Sequence, residues 1–230
     1  MRSVLPLLLL LAFPARSEEI VVSAAASTRE ALTEVARACE AKTHDRVLLN
    51  FGGSNEMARQ IVAGAKVDVF IAADLETMKR TRHEGRPLLA NRLAIVTSKP
   101  IANAYALTRF RRIAIANWRA NVPAGTYAVQ YFSAMKLWND IESRVVPTVD
   151  VRAALAAFDS GAVDAAVVYV TDARIAKRKH ATLVLQDTGI VYPAAIIRES
   201  PAAKRFFAFL FSDDATRIFT RYGFTLPTKR

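Results

Sequence analysis

Cysteine occurs once in the 230-residue chain, at Cys39, so no disulfide can form within it. Cys39 shares a helical spacing with Leu32, Val35 and Ala36, which predicts a buried thiol rather than a reactive one. No cysteine lies near the N-terminus, so the sequence predicts no attachment point for a lipid anchor. Histidine is nearly as scarce. His44, His83 and His180 fall in polar, charged segments, and no pair of them has metal-ligand spacing. A G-x-S-x-G elbow is also missing: "GGSNE" at residues 52–56 lacks the second glycine, and Ser54 has no evident histidine base. These absences argue against a disulfide scaffold, a histidine metal centre and a serine hydrolase. Beyond the N-terminus no stretch approaches the roughly 20 apolar residues needed to cross a bilayer. Internal repeats, low-complexity tracts and long linkers are absent too.

What is present begins with residues 1–17. Arg2 supplies a positive start, residues 4–13 form an apolar run broken by Pro6, and Ala15-Arg16-Ser17 offers a small-residue cleavage site. That is the layout of a secretory signal peptide, and it predicts a periplasmic protein. Its removal takes Arg2 and Arg16 from a formal net charge of +11, leaving +9. A basic exported protein is suited to an anionic partner, whereas export argues against nucleic acid. A hydrophobic content of 52% is enough for a real core.

Past the leader, short β-rich runs alternate with helical patterns. Strands are expected at residues 20–24, 46–51, 68–72 and 93–97, with helices at 28–42, 55–63 and 75–83 between them. The pattern restarts with a strand at 113–116, one long helix from 122 to 141, a helix at 150–161 and an apolar strand at 165–170. Strands at 183–185 and 194–198 and two helices, 202–211 and 214–222, complete the chain. Such alternation predicts an α/β fold with mainly parallel sheets; two lobes with the chain crossing between them fit this order, and a single larger sheet fits it almost as well. Lobe 1 is expected at residues 18–95 and 193–230, and lobe 2 at 96–192.

The polar residues of interest stand where strands give way to helices, the place where open α/β sheets bind ligands. Ser27 follows the first strand and is placed to cap the next helix, with Glu30 as its capping-box partner. Ser54 follows the second strand in "NFGGSNE". Ala124 opens a helix behind Pro123, Val151 lies just inside a helix behind Asp150, and Tyr169 ends an apolar strand. Each has an ordinary structural explanation as a cap or an interfacial aromatic. Their recurrence at helix starts, which carry spare N–H groups and the positive end of the peptide dipole, points instead to an anion.

Six stretches carry a family resemblance: "SAAASTREALTEVA", "NFGGSNEMARQIVAGAKVDVFIAAD", "VPAGTYA", "VDVRAAL", "AAVVYVTDA" and "RYGF". Together, from residue 20 to 224, they resemble the periplasmic molybdate-binding proteins of ABC importers. The resemblance implies a type II periplasmic-binding-protein fold, with two mixed, mostly parallel lobes closing on a tetrahedral oxyanion. It implies that serine hydroxyls, main-chain N–H groups and a tyrosine hydroxyl hold that ion, roles that fall on Ser27, Ser54, Ala124, Val151 and Tyr169. It further implies no catalytic residue, no cofactor, molybdenum bound only as its oxyanion, a monomer, and a membrane permease as partner. Molybdate and tungstate are full dianions at neutral pH, so a site built from donors alone suits them, and a nearby carboxylate would oppose them. Another oxyanion such as sulfate is the alternative. Three features depart from the family pattern: Ser23 where an aromatic is frequent, bulky Trp118 and Arg119 in the second-lobe loop, and a short segment between Lys99 and Ile113.

Overall fold

A computed structural model describes residues 17–186 and 188–227. Apart from Ser17, the leader read at residues 1–17 lies outside the described residues. The chain builds β1 (Glu19–Ala25), a 3-10 turn (Ala26–Thr28), α1 (Arg29–Thr43), β2 (Arg46–Gly52), α2 (Ser54–Val62), β3 (Val69–Ile71), α3 (Leu75–Arg80) and β4 (Arg86–Asn91). It then crosses to β5 (Leu93–Thr97), β6 (Ile113–Ala116), α4 (Pro123–Ala134), α5 (Trp138–Ile141), β7 (Val145–Thr148), α6 (Val151–Asp159), β8 (Ala165–Tyr169), α7 (Val170–Ala173) and β9 (Ala181–Val184). It returns through β10 (Ile190–Ile196) and ends with α8 (Pro201–Leu210) and α9 (Asp213–Arg221).

Two five-stranded sheets result, ordered β2-β1-β3-β10-β4 and β7-β6-β8-β5-β9. In each, three neighbouring strands run parallel and the fourth strand runs against both of its neighbours. The reversed strand is β10 in lobe 1 and β5 in lobe 2, and each enters from the other lobe. The sheets are therefore mixed, with four of the five strands in each running one way, and the two lobes share one topology. The crossings lie at Arg92 and between Val184 and Ile190. Boundaries set at 95/96 and 192/193 cut through β5 and β10, because an apolar run does not reveal which sheet it joins.

Side-chain alternation divides the core. On β3, Val69 and Ile71 face the main cluster with Leu32 and Val35, while Phe70 joins Met57, Ile61 and Met78 on the opposite side of the sheet. Cys39 is buried beside Val35, as its spacing predicts. Asp68 ties the sheet together: its carboxylate accepts from Val21 N at 2.7 Å and from Arg198 Nε at 2.8 Å. Among the described residues no helix is long and apolar enough to cross a membrane.

Sequence patterns miss β4 and β7. Each carries a proline, Pro87 and Pro147, and each is an edge strand, the setting in which a residue without an N–H is tolerated. The single helix expected over 122–141 is two helices. It breaks where Lys136 takes a left-handed φ of 57° and Leu137 N bonds back to Phe132 O at 2.8 Å, a helix ending made without glycine.

Candidate functional site

Strands β1, β2 and β3 of lobe 1 and their counterparts β6, β7 and β8 of lobe 2 point their carboxyl ends at one another. The segments leaving those six ends enclose a small cavity of about 20 Å³. Ser27, Ser54, Ala124, Val151 and Tyr169 all line it. The structure thus brings together five residues that the sequence distributes over more than half the chain. On the same scale one water needs roughly 10–15 Å³, so a cavity of this size suits a ligand of few atoms.

Local sequence explains the lining. Three helical starts on the cavity, at Ala25, Gly53 and Val122, have no side chain capping them. Elsewhere, Asp74, Ser200 and Ser212 each cap a helix through an N–H of its first turn. The first-turn N–H groups at the cavity are therefore left for something other than the protein's own side chains. Pro123 opens α4 without an N–H of its own, which makes Ala124 the first donor there. Gly125 lets α4 reach this position: a Cβ at that residue would sit 1.9 Å from the Ala116 carbonyl oxygen. At α6, Asp150 does cap, through Ala153 N at 2.8 Å, but the N–H of Val151 precedes that bond.

Each of the three hydroxyls can turn a hydrogen into the cavity. Ser54 Oγ accepts from Ala73 N at 3.0 Å, which frees its hydrogen. Ser27 Oγ lies 2.9 Å from Tyr192 Oη, and Asn91 Nδ2 reaches that Tyr192 oxygen at 3.5 Å. With Tyr192 accepting from Asn91 and donating to Ser27, the Ser27 hydrogen is left for the cavity. Ser27 accordingly does not cap α1, and Glu30 makes no capping box: it pairs with Arg152 instead. Tyr169 Oη is fully buried and makes no hydrogen bond within the described residues. Burial holds its pKa well above the ordinary tyrosine value, so the hydroxyl keeps its proton.

Carboxylates are closer than an all-donor site would have. Asp150 is part of the lining, its charge facing the α6 N-terminus. Asp172 is buried directly behind Tyr169, where its Oδ2 accepts from Tyr169 N at 3.2 Å. Desolvation pushes its pKa up to about 7, against the opposing pull of Arg152. Arg152 itself offers no sequence signal beyond one cation on a helix. Its Nε lies 2.7 Å from Asp172 Oδ1, its Nη1 donates to Glu30 Oε1 at 3.1 Å, and its Nη2 reaches Ser27 O at 3.4 Å, which joins the two lobes. A second bridge runs from Asn55 Nδ2 to Ala120 O at 2.9 Å. Trp118 and Arg119 do not line the cavity. They brace the loop carrying Ala120: Trp118 stands edge-on to Trp138, and Arg119 stacks over Trp118 and bonds Glu142 at 2.8 Å.

Comparison with known proteins matches this geometry. A model of the family described as bacterial extracellular solute-binding protein covers residues 20–225. The molybdate-binding protein ModA of Escherichia coli is 29% identical over 230 residues, covering 90% of this chain and 89% of its own. The periplasmic molybdate-binding protein of Azotobacter vinelandii superposes with a TM-score of 0.80 at 22% identity, over 91% of this chain and 100% of its own. The sulfate-binding protein SubI of Mycobacterium tuberculosis superposes with the same TM-score, 0.80, at 17% identity, over 92% of this chain and 88% of its own. Overall shape therefore does not choose between these oxyanions. A two-lobe fold matched over nearly its whole length, with a donor-lined cavity at the lobe junction, places the chain in the bacterial extracellular solute-binding protein family, whose members bind solutes rather than transform them.

Proposed function

We propose that the protein captures molybdate, and with it tungstate, between its lobes in the periplasm and delivers it as a monomer to an ABC permease. Ser27, Ser54 and Tyr169 donate through hydroxyls, Ala124 and Val151 through main-chain N–H groups, and molybdenum enters only as its oxyanion. No catalytic step and no cofactor are involved. The observation that carries this reading is the Tyr169 hydroxyl, buried on the cavity without a partner and still protonated. An unsatisfied buried donor costs about 1–3 kcal/mol, and an acceptor-only dianion removes that cost. Hydrogen phosphate brings a proton of its own that needs an acceptor, and the carboxylate in this lining, Asp150, already has its Oδ1 taken by Ala153 N. ModA of E. coli, by its name, binds molybdate, which supports the choice of ion.

A thermal-shift panel of molybdate, tungstate, sulfate, phosphate and chromate tests the assignment. At about a thousandfold excess over Kd, mass action alone contributes roughly 4 kcal/mol, a clear rise in melting temperature. Molybdate and tungstate should raise it most. A larger rise with sulfate or phosphate would replace the named ligand.

A further inference from the structure

The net positive charge of the chain is not spread evenly. Nine of the twelve ion pairs among the described residues lie within lobe 1. Lobe 2 instead leaves a group of cations unpaired, and strand register shows where they are. Ile113 is level with Val145 and Ala165, and Thr97 is level with Ala165 and Ala181. The residues just outside these positions therefore share one end of the sheet, the end opposite the cavity. Lys99, Arg109, Arg111, Arg112, Lys177 and Lys179 are all exposed there, and none forms an ion pair among the described residues.

Two carboxylates at this pole do not neutralise it. Asp164 Oδ2 accepts from the backbone N–H groups of Arg111 and Arg112 at 2.9 and 3.0 Å. Asp159 Oδ1 accepts from those of Lys177 and Arg178 at 3.0 and 3.1 Å. Both acids thus fasten the loops that carry the cations and leave the charged heads outward. Helix α6, nine residues long, separates the pole from the cavity by about 13 Å, so these cations are not part of the ligand's lining.

We infer that this pole of lobe 2 docks on an anionic phospholipid surface. A protein partner would be expected to find apolar anchors. Among the described residues, the large exposed hydrophobic side chain at this end is Tyr105, its hydroxyl bonded to Met135 O at 3.0 Å. Unpaired lysine and arginine heads on long stems beside a tyrosine are instead the composition that suits a headgroup layer. Such docking would hold a solute-binding protein near the bilayer while the cavity stays free, and it stands whichever oxyanion the cavity takes.

The test is co-sedimentation of the mature chain with phosphatidylcholine vesicles, with and without about one-third phosphatidylglycerol. Binding should require the anionic lipid and should fall at least about tenfold between roughly 0.05 M and 0.5 M salt, where the screening length shrinks to a few ångströms. The variant R109Q/R111Q/K177Q/K179Q should lose about tenfold or more, while R46Q/K66Q/K79Q/K204Q, equal in charge but on lobe 1, should keep most of the binding. A molybdate thermal shift equal to the parent's shows that each variant is folded. Should molybdate prove the wrong ion, circular dichroism and an unchanged melting temperature serve the same purpose. Equal binding to neutral vesicles, equal loss in both variants, or no loss in the first would overturn the inference. Retention on duplex DNA in place of anionic vesicles would overturn it as well.

Discussion

Replacing Tyr169 with phenylalanine separates a ligand-binding hydroxyl from a structural one. The ring stays: it packs edge-on to Tyr192 with centroids 5.7 Å apart, and phenylalanine keeps that contact. What goes is one oxygen that is buried and unpartnered in the closed protein. Without ligand, its removal takes away an unsatisfied polar group, so the melting temperature should hold or rise slightly. With ligand, its removal deletes a hydrogen bond to a charged acceptor, worth about 1.5–3 kcal/mol, so Kd should rise roughly 10- to 150-fold. Isothermal titration with molybdate measures the second effect, and calorimetric melting of the ligand-free protein measures the first. The opposite signs are the point. Unchanged affinity would remove Tyr169 from the site, and a ligand-free loss of stability matching the loss of binding would show that the hydroxyl serves the fold.

Ser54→Ala should weaken molybdate binding by about 1–3 kcal/mol and, because Ala73 N loses its acceptor, should also lower the ligand-free melting temperature; a purely structural Ser54 would show only the second effect. Glu30→Gln removes the lobe 1 charge facing Arg152 and should raise the ligand off-rate in stopped-flow measurements, with little change in ligand-free stability. Asp172 gives a signed pH effect. Its folded-state pKa of about 7 lies above the ordinary value of 3.8, so the folded protein holds a proton that the unfolded chain has released between those limits. Stability should therefore decline as pH rises from about 4 to about 7 and then level off. Asp172→Asn should flatten that part of the denaturation profile relative to the parent.

Much of this arrangement was legible before the structure. Strand-to-helix junctions mark Ser27, Ser54, Ala124, Val151 and Tyr169 because a helix start advertises itself through glycine, proline and short polar residues, and a parallel strand ends where the next helix begins. Family resemblance then gathers them around one ion, and the fold does bring them to one cavity. What stayed hidden depends on distant partners. Ser27 looks like a cap and is instead bonded to Tyr192, 165 residues away. Arg152 looks like a solvated helix cation and instead joins the lobes, because only the closed fold sets Glu30 and Asp172 beside it. Strands β4 and β7 were concealed by their prolines, which edge positions tolerate. The common topology of the lobes leaves no repeat in the sequence, since backbone hydrogen bonds impose a strand order without dictating side chains.

The exchange of strands between lobes bears on how the chain assembles. All five strands of lobe 2 lie in one unbroken stretch, residues 93 to 184, so that half can finish its sheet as soon as it emerges. Lobe 1 must wait. Its β10 fills the gap between β3 and β4, and until residue 196 arrives both of those strands expose unpaired backbone edges. Synthesis from the N-terminus thus produces the first half early and completes it last, and the interval is when the chain is most open to sticking to its neighbours.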